Sequence, residues 1–140
     1  MKILIINGPN LNLLGTREPD IYGKVSMEEF LKYLENKFPN EEILYYQSNV
    51  EGELINRIQE GGFDALVTNF GAFSHYAYAI ADCLKTVQTP IVEVHISNLY
   101  KREDFRRHSV TAPNSDAFLS GFGLNGYELA ITYLLDRDQY

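Results

Sequence analysis

Short, almost unbroken aliphatic runs alternate along the chain with amphipathic stretches of helical period, and this alternation restricts the fold more than any other feature. Lys2 to Ile6 reads as a buried strand ended by the turn Asn7-Gly-Pro-Asn10. Ser26 and Glu29 form a capping box, after which Phe30, Leu31, Leu34 and Phe38 recur at helical spacing up to Pro39-Asn40. Ile43 to Tyr46 predicts a second strand; Leu54, Ile55 and Ile58 stripe the next helix, which Gly61-Gly62 stops. A third strand, Ala65 to Thr68, leads to a third helix over Phe73 to Leu84, with Ala77, Ile80, Ala81 and Leu84 on one face. Pro90 to Ile96 is the fourth strand, followed by a charged segment, Asn98 to Arg107, that reads as short helix or loop. Ala117 to Ser120 is a weaker fifth strand, and Leu124, Tyr127, Ile131, Leu134 and Leu135 mark a last amphipathic helix.

Strands without polar alternation need cover on both faces, which implies a parallel sheet with right-handed helical crossovers. Five βα units are too few for a closed eight-stranded barrel. They fit an α/β, flavodoxin-like three-layer sandwich with a five-stranded parallel sheet. The 140 residues supply one core, and no repeat or linker divides them, so 1–140 is expected to be a single domain. Twelve Lys and Arg against nineteen Asp and Glu give −7, which argues against nucleic acid or a membrane surface as the main partner and for a small ligand. The lone cysteine, Cys83, excludes an internal disulfide, and the first 20 residues lack the layout of a signal peptide. A cytoplasmic location is expected, and no apolar run approaches the roughly 18 residues of a membrane span. Ten Tyr and eight Phe without a Trp are more tyrosine than core packing demands.

In open parallel sheets, ligands bind beyond the carboxyl ends of the strands. The polar chemistry of this chain collects there. The first strand runs into a connection, Asn7 to Gly23, much longer than a usual βα loop, and it carries Asn10, Arg17 and Tyr22. An ordinary tyrosine has a pKa of about 10, and a fixed guanidinium beside it favours phenolate. Tyr22 is therefore either a general base activated by Arg17 or a loop-packing residue. Glu93 and His95 lie two apart on a strand and point to the same face, where a carboxylate can fix the imidazole tautomer and raise its basicity, or simply satisfy a buried histidine. Asn69 ends the third strand, His75 opens the third helix, and Ser97, Arg102 and Arg106 follow the fourth strand. Asp82, seven positions after His75, shares its helical face but lies roughly 10 Å along the axis, too far to serve the same atom within one chain. Gly121-Phe-Gly-Leu-Asn-Gly126 imitates a dinucleotide fingerprint, yet too little chain follows it for the second strand and acidic residue such a site needs. Tight turning and close helix packing account for its glycines. No metal-ligand spacing and no nucleophile elbow is present.

Taken together, Ile6 to Pro19 with Ile21-Tyr-Gly23, Gln47-Ser-Asn49 with Glu51 to Ile55, Asn69 to His75, Val92 to Asn98 with Arg102-Glu103 and Phe105-Arg106, and Gly123 to Ala130 resemble the type II 3-dehydroquinate dehydratases almost end to end. The chain differs from their usual residues at Val50, Phe70, Phe73, Ser74, Tyr76 and Ala77. The resemblance implies dehydration of 3-dehydroquinate to 3-dehydroshikimate, a shikimate-pathway step, through an enolate and with no metal or organic cofactor. It implies Tyr22 as base with Arg17 holding it anionic, Asn10 holding a water on the enolate oxygen, and His95, oriented by Glu93, as general acid. Asn69, His75 and Arg106 would grip ring hydroxyls, Ile96 and Ser97 would receive the carboxylate, and Asp82 would act across a subunit interface in a dodecamer built from trimers. Tyr76 and Tyr78 are then expected at subunit contacts, and most other tyrosines in packing. Two other classes compete: a non-catalytic flavodoxin-like binding module, which calls for an acidic cluster or phosphate loop absent after Ile6 and Asn69, and an imine-forming dehydratase, which needs a lysine aimed into the site.

Overall fold

A computed structural model describes residues 1–16, 20 and 24–140. Arg17 and Tyr22 lie outside the described residues. Strands β1 (Lys2–Asn7), β2 (Glu42–Gln47), β3 (Ala65–Asn69), β4 (Ile91–His95) and β5 (Ala117–Ser120) form one parallel sheet in the order β2-β1-β3-β4-β5. The three inner strands are buried almost throughout, whereas the edge strands β2 and β5 are only partly covered. Helices α1 (Met27–Lys37), α2 (Glu51–Glu60), α3 (Tyr78–Leu84) and α4 (Asn125–Asp136) supply the two outer layers.

Side-chain alternation along each strand divides the core in two. Ile3, Ile5, Val67, Val92 and Val94 pack against Phe30 and Leu34 of α1 and Tyr127 and Ile131 of α4. Leu4, Ile6, Leu66 and Ile91 pack on the other face against Leu54 and Ile58 of α2 and Ile80 and Leu84 of α3. Ser26 caps α1 by accepting from the Glu29 backbone N–H at 3.1 Å, as the capping box predicts. The false dinucleotide fingerprint is a turn followed by a helix start: Gly121 and Gly123 have φ of +96° and +60°, and a Cβ on Gly126 would sit 2.9 Å from Val94 Cγ1.

The third helix is shorter than the periodicity predicts. A 3-10 turn, Gly71–His75, precedes it, and α3 begins only at Tyr78. The Ser74 carbonyl, which a continuous helix would bond to Tyr78, accepts instead from the Val110 N–H at 2.7 Å, while the Ser74 hydroxyl donates to the Gly71 carbonyl at 2.8 Å. His75 therefore closes a 3-10 turn rather than opening a helix, and no continuous helical face joins it to Asp82. The charged segment is two 3-10 turns, Leu99–Lys101 and Asp104–Arg107.

The tyrosines also depart from expectation. Tyr76 and Tyr78 are 57% and 70% exposed, but Tyr33, Tyr45, Tyr100, Tyr133 and Tyr140 are exposed too, because they occupy the edge strand, outer helix faces, a 3-10 turn and the C-terminus. Tyr127 is fully buried. Among the described residues no helix is long and apolar enough to cross a membrane.

Candidate active site

A cleft partly open to solvent lies where β1, β3 and β4 end, and β1 is the strand at which the sheet order reverses. Its lining comes from short-range features of each strand end. The turn after β1 brings Pro9, Asn10 and Leu11, β3 ends on Asn69, and β4 delivers His95 followed by Ile96 and Ser97. His75 and Arg106 from 3-10 turns, and Arg102 from between two of them, add to the lining.

Asn10 has φ 69°, the sole left-handed non-glycine residue among those described. Its N–H donates to Asn49 Oδ1 at 3.0 Å, and Gln47 Nε2 donates to the same oxygen and to the Gly8 carbonyl, each at 3.1 Å. The end of β2 thus holds the β1 turn in a conformation that asparagine tolerates better than most residues.

His95 donates from Nε2 to Glu93 Oε2 at 2.8 Å, and both side chains are almost wholly removed from solvent. A buried carboxylate needs several donors. Ser109 Oγ supplies a second at 2.8 Å on Oε2, and Thr111 Oγ1 bonds the other oxygen. Because a carboxylate only accepts here, the His95 tautomer is set: Nε2 carries hydrogen toward Glu93, and Nδ1 is the nitrogen left for proton exchange with a ligand. The His95 ring also packs on Phe118, its centroid 5.4 Å away.

His75 donates from Nδ1 to the His108 carbonyl at 2.7 Å, so in the neutral ring Nε2 is an acceptor. Burial lowers the His75 pKa from its ordinary 6.5; the His108 carbonyl works in the opposite direction, while nearby His95 and Arg106 lower it further. The neutral ring is stacked against His95 with centroids 6.1 Å apart and meets Phe105 edge-on. Arg106 is clamped from two sides: its Nε is bonded to Glu103, whose carboxyl pKa falls as a result, and its guanidinium lies 4.9 Å over the Phe105 ring. Arg102 donates to Ser97 Oγ at 3.3 Å.

Beneath the cleft, the register partners Asn7 and Asn69 meet Tyr127, which donates to Asn7 Oδ1 at 2.8 Å and accepts from Asn69 Nδ2 at 2.9 Å.

Asn10, Asn69, His75, His95, Ile96, Ser97 and Arg106 therefore line one cleft, with Glu93 directly behind His95. Asp82 does not line it; its carboxylate is 77% exposed and lies 3.5 Å from Lys85 Nζ. Ser109, Thr111 and the Tyr127 hydroxyl have no counterpart among the residues singled out in the sequence. The one available signal was Tyr127 itself, since a tyrosine within a buried helical stripe needs a partner for its hydroxyl. Among the described residues no group of three or more His, Cys, Asp or Glu is placed to hold a metal ion.

The sequence model of the family described as dehydroquinase class II matches residues 1–135. The chain is 53% identical over 140 residues to the 3-dehydroquinate dehydratase of Carboxydothermus hydrogenoformans, spanning 97% of this chain and 91% of that protein. It is 51% identical over 136 residues to the 3-dehydroquinate dehydratase of Thermotoga petrophila, spanning 96% and 94%. Its backbone superposes on the crystal structure of type II dehydroquinase from Butyrivibrio crossotus with a TM-score of 0.93 at 48% identity, over 96% of this chain and 97% of that one. For the type II dehydroquinase from Propionibacterium acnes the TM-score is 0.90 at 39% identity, over 95% and 94%.

Proposed function

The chain belongs to the dehydroquinase class II family, whose matched relatives are 3-dehydroquinate dehydratases, and on that footing we propose that it dehydrates 3-dehydroquinate to 3-dehydroshikimate through an enolate. The observation that carries the reading is the His95–Glu93 pair, sealed behind by Ser109 and Thr111 and set in one cleft with Asn10, Asn69, His75 and Arg106.

Tyr22, kept as phenolate by Arg17, takes the proton from the carbon next to the ketone. The electron pair moves to the carbonyl oxygen, where a water held by Asn10 stabilises the enolate through hydrogen bonding in place before charge develops. Collapse of the enolate forms the ring double bond and breaks the bond to the β-hydroxyl, which leaves as water with a proton from His95. The proton gained by Tyr22 returns through solvent to His95, so the net change is loss of one water. Asn69, neutral His75 and Arg106 bind ring hydroxyls, and Ile96 and Ser97 receive the carboxylate. Local cations thereby let a chain of net charge −7 bind an anion. Asp82 contributes from a neighbouring subunit within trimers that assemble into a dodecamer.

Purified protein mixed with 3-dehydroquinate should develop the ultraviolet absorbance of the conjugated enone, and Tyr22→Phe should lower the rate by about 10²- to 10⁴-fold. No absorbance from the parent, or undiminished turnover in the variant, overturns the reading. The described cleft lining contains no lysine to form an imine; inactivation by borohydride in the presence of substrate would restore the imine route.

A further inference from the structure

The hydrogen-bond chain beneath the cleft has a direction that only one arrangement satisfies. It runs Tyr45, Asn7, Tyr127, Asn69, Gly71. The Gly71 backbone N–H can only donate, and it lies 3.2 Å from Asn69 Oδ1. Asn69 must then turn Nδ2 toward Tyr127. A tyrosine hydroxyl has a single proton; occupied as acceptor from Asn69, it gives that proton to Asn7 Oδ1, and Asn7 Nδ2 in turn donates to Tyr45 Oη at 3.2 Å. Reversing the Asn69 carboxamide would set its NH2 against the Gly71 N–H, two donors face to face, in a place where Asn69 is 3% and Tyr127 0% exposed and no solvent relieves the mismatch. Burial raises the Tyr127 pKa further above the ordinary tyrosine value, so the proton stays on the hydroxyl.

We propose that Tyr127 is a positioning residue: the Gly71 N–H sets which end of the Asn69 carboxamide it meets, and the Tyr127 hydroxyl pins the Nδ2 end, so that together they hold the one N–H and the one lone pair that remain for the ligand in the cleft. The bond to Tyr127 uses one Asn69 N–H and the bond to Gly71 uses one lone pair, leaving one donor and one acceptor. That pair is suited to a hydroxyl, which both gives and takes a hydrogen bond. The proposal rests on the reading of Asn69 as a ligand-binding residue for a hydroxylated ring.

The test is Tyr127→Phe, which removes the hydroxyl and keeps the ring. With 3-dehydroquinate, KM should rise about 10-fold while kcat changes less than about 3-fold, the pattern of a lost binding interaction. In an Asn69→Ala background the same substitution should change KM less than about 2-fold. An unchanged KM in the single variant, or effects that multiply in the double variant, overturns the proposal, since pure packing at Tyr127 would act regardless of Asn69. Should Tyr127→Phe fail to fold, Asn7→Leu removes the acceptor of the Tyr127 proton, and it should raise KM with the same dependence on Asn69; an unaltered KM there overturns the proposal. A substrate-independent readout separates this proposal from the assigned activity: with ¹⁵N-asparagine labelling, one slowly exchanging side-chain amide proton of Asn69 should vanish in Tyr127→Phe. Its survival overturns the positioning role, whereas a parent protein inert toward 3-dehydroquinate overturns only the activity.

Discussion

Glu93 is the residue on which the site's polarity depends. It is fully buried, and its carboxylate oxygens accept hydrogen bonds from His95, Ser109 and Thr111. Thr111→Val keeps the side-chain shape and removes the donor on one carboxylate oxygen; chemical denaturation should show a loss of about 1–3 kcal/mol, the cost of an unsatisfied buried group. His95→Ala should lower kcat by about 10²- to 10⁴-fold, as expected for loss of a general acid, and should also lower the unfolding midpoint, because buried Glu93 loses a donor. His75 yields a prediction about pH. Its native pKa is lowered, so the unfolded chain binds the proton more readily. The stability it contributes is complete above its ordinary value of 6.5 and declines as the pH falls through that value toward the lower native one. Unfolding midpoints measured across this range should fall less in His75→Asn than in the parent; equal slopes would contradict the neutral assignment.

Among the elements, close approach and capping set the tolerances. A Cβ on Gly8 would lie 2.3 Å from the carbonyl oxygen of Phe70, and backbone there cannot yield. Gly8→Ala is therefore expected to lose more than about 3 kcal/mol and to disturb the turn that carries Asn10. On Gly126 the clash is with the Val94 side chain, so Gly126→Ala should cost about 1–3 kcal/mol and regain part of it when combined with Val94→Ala. The break between the Gly71–His75 turn and α3 is maintained from outside by the Val110 N–H. The same excursion of chain bonds His75 through the His108 carbonyl and Glu93 through Ser109 and Thr111. One stretch, residues 108–111, thus supports both histidines of the cleft.

For the whole molecule, the proposed assembly predicts a sedimentation mass far above the 16.0 kDa of one chain. Asp82→Ala should then reduce turnover although Asp82 faces solvent in the single chain; a fully active monomer would refute the intersubunit role. Fold class is legible in the sequence because the signals are local: apolar runs specify buried strands, helical period specifies their cover, and the capping box at Ser26 marks where α1 starts. The shared face of Glu93 and His95 was legible for the same reason, since side chains on a strand repeat every second residue. The start of the third helix was not, because a distant N–H competes for the Ser74 carbonyl and periodicity carries no record of that competitor. Nor were Ser109, Thr111 and the Tyr127 hydroxyl, whose significance lies in what they touch across the sheet. The sequence by itself determined the order and type of the elements and the edge at which the polar residues gather. Tertiary structure alone decided which buried polar atoms pair, because a hydrogen bond between remote segments exists only once the core has brought them within about 3 Å.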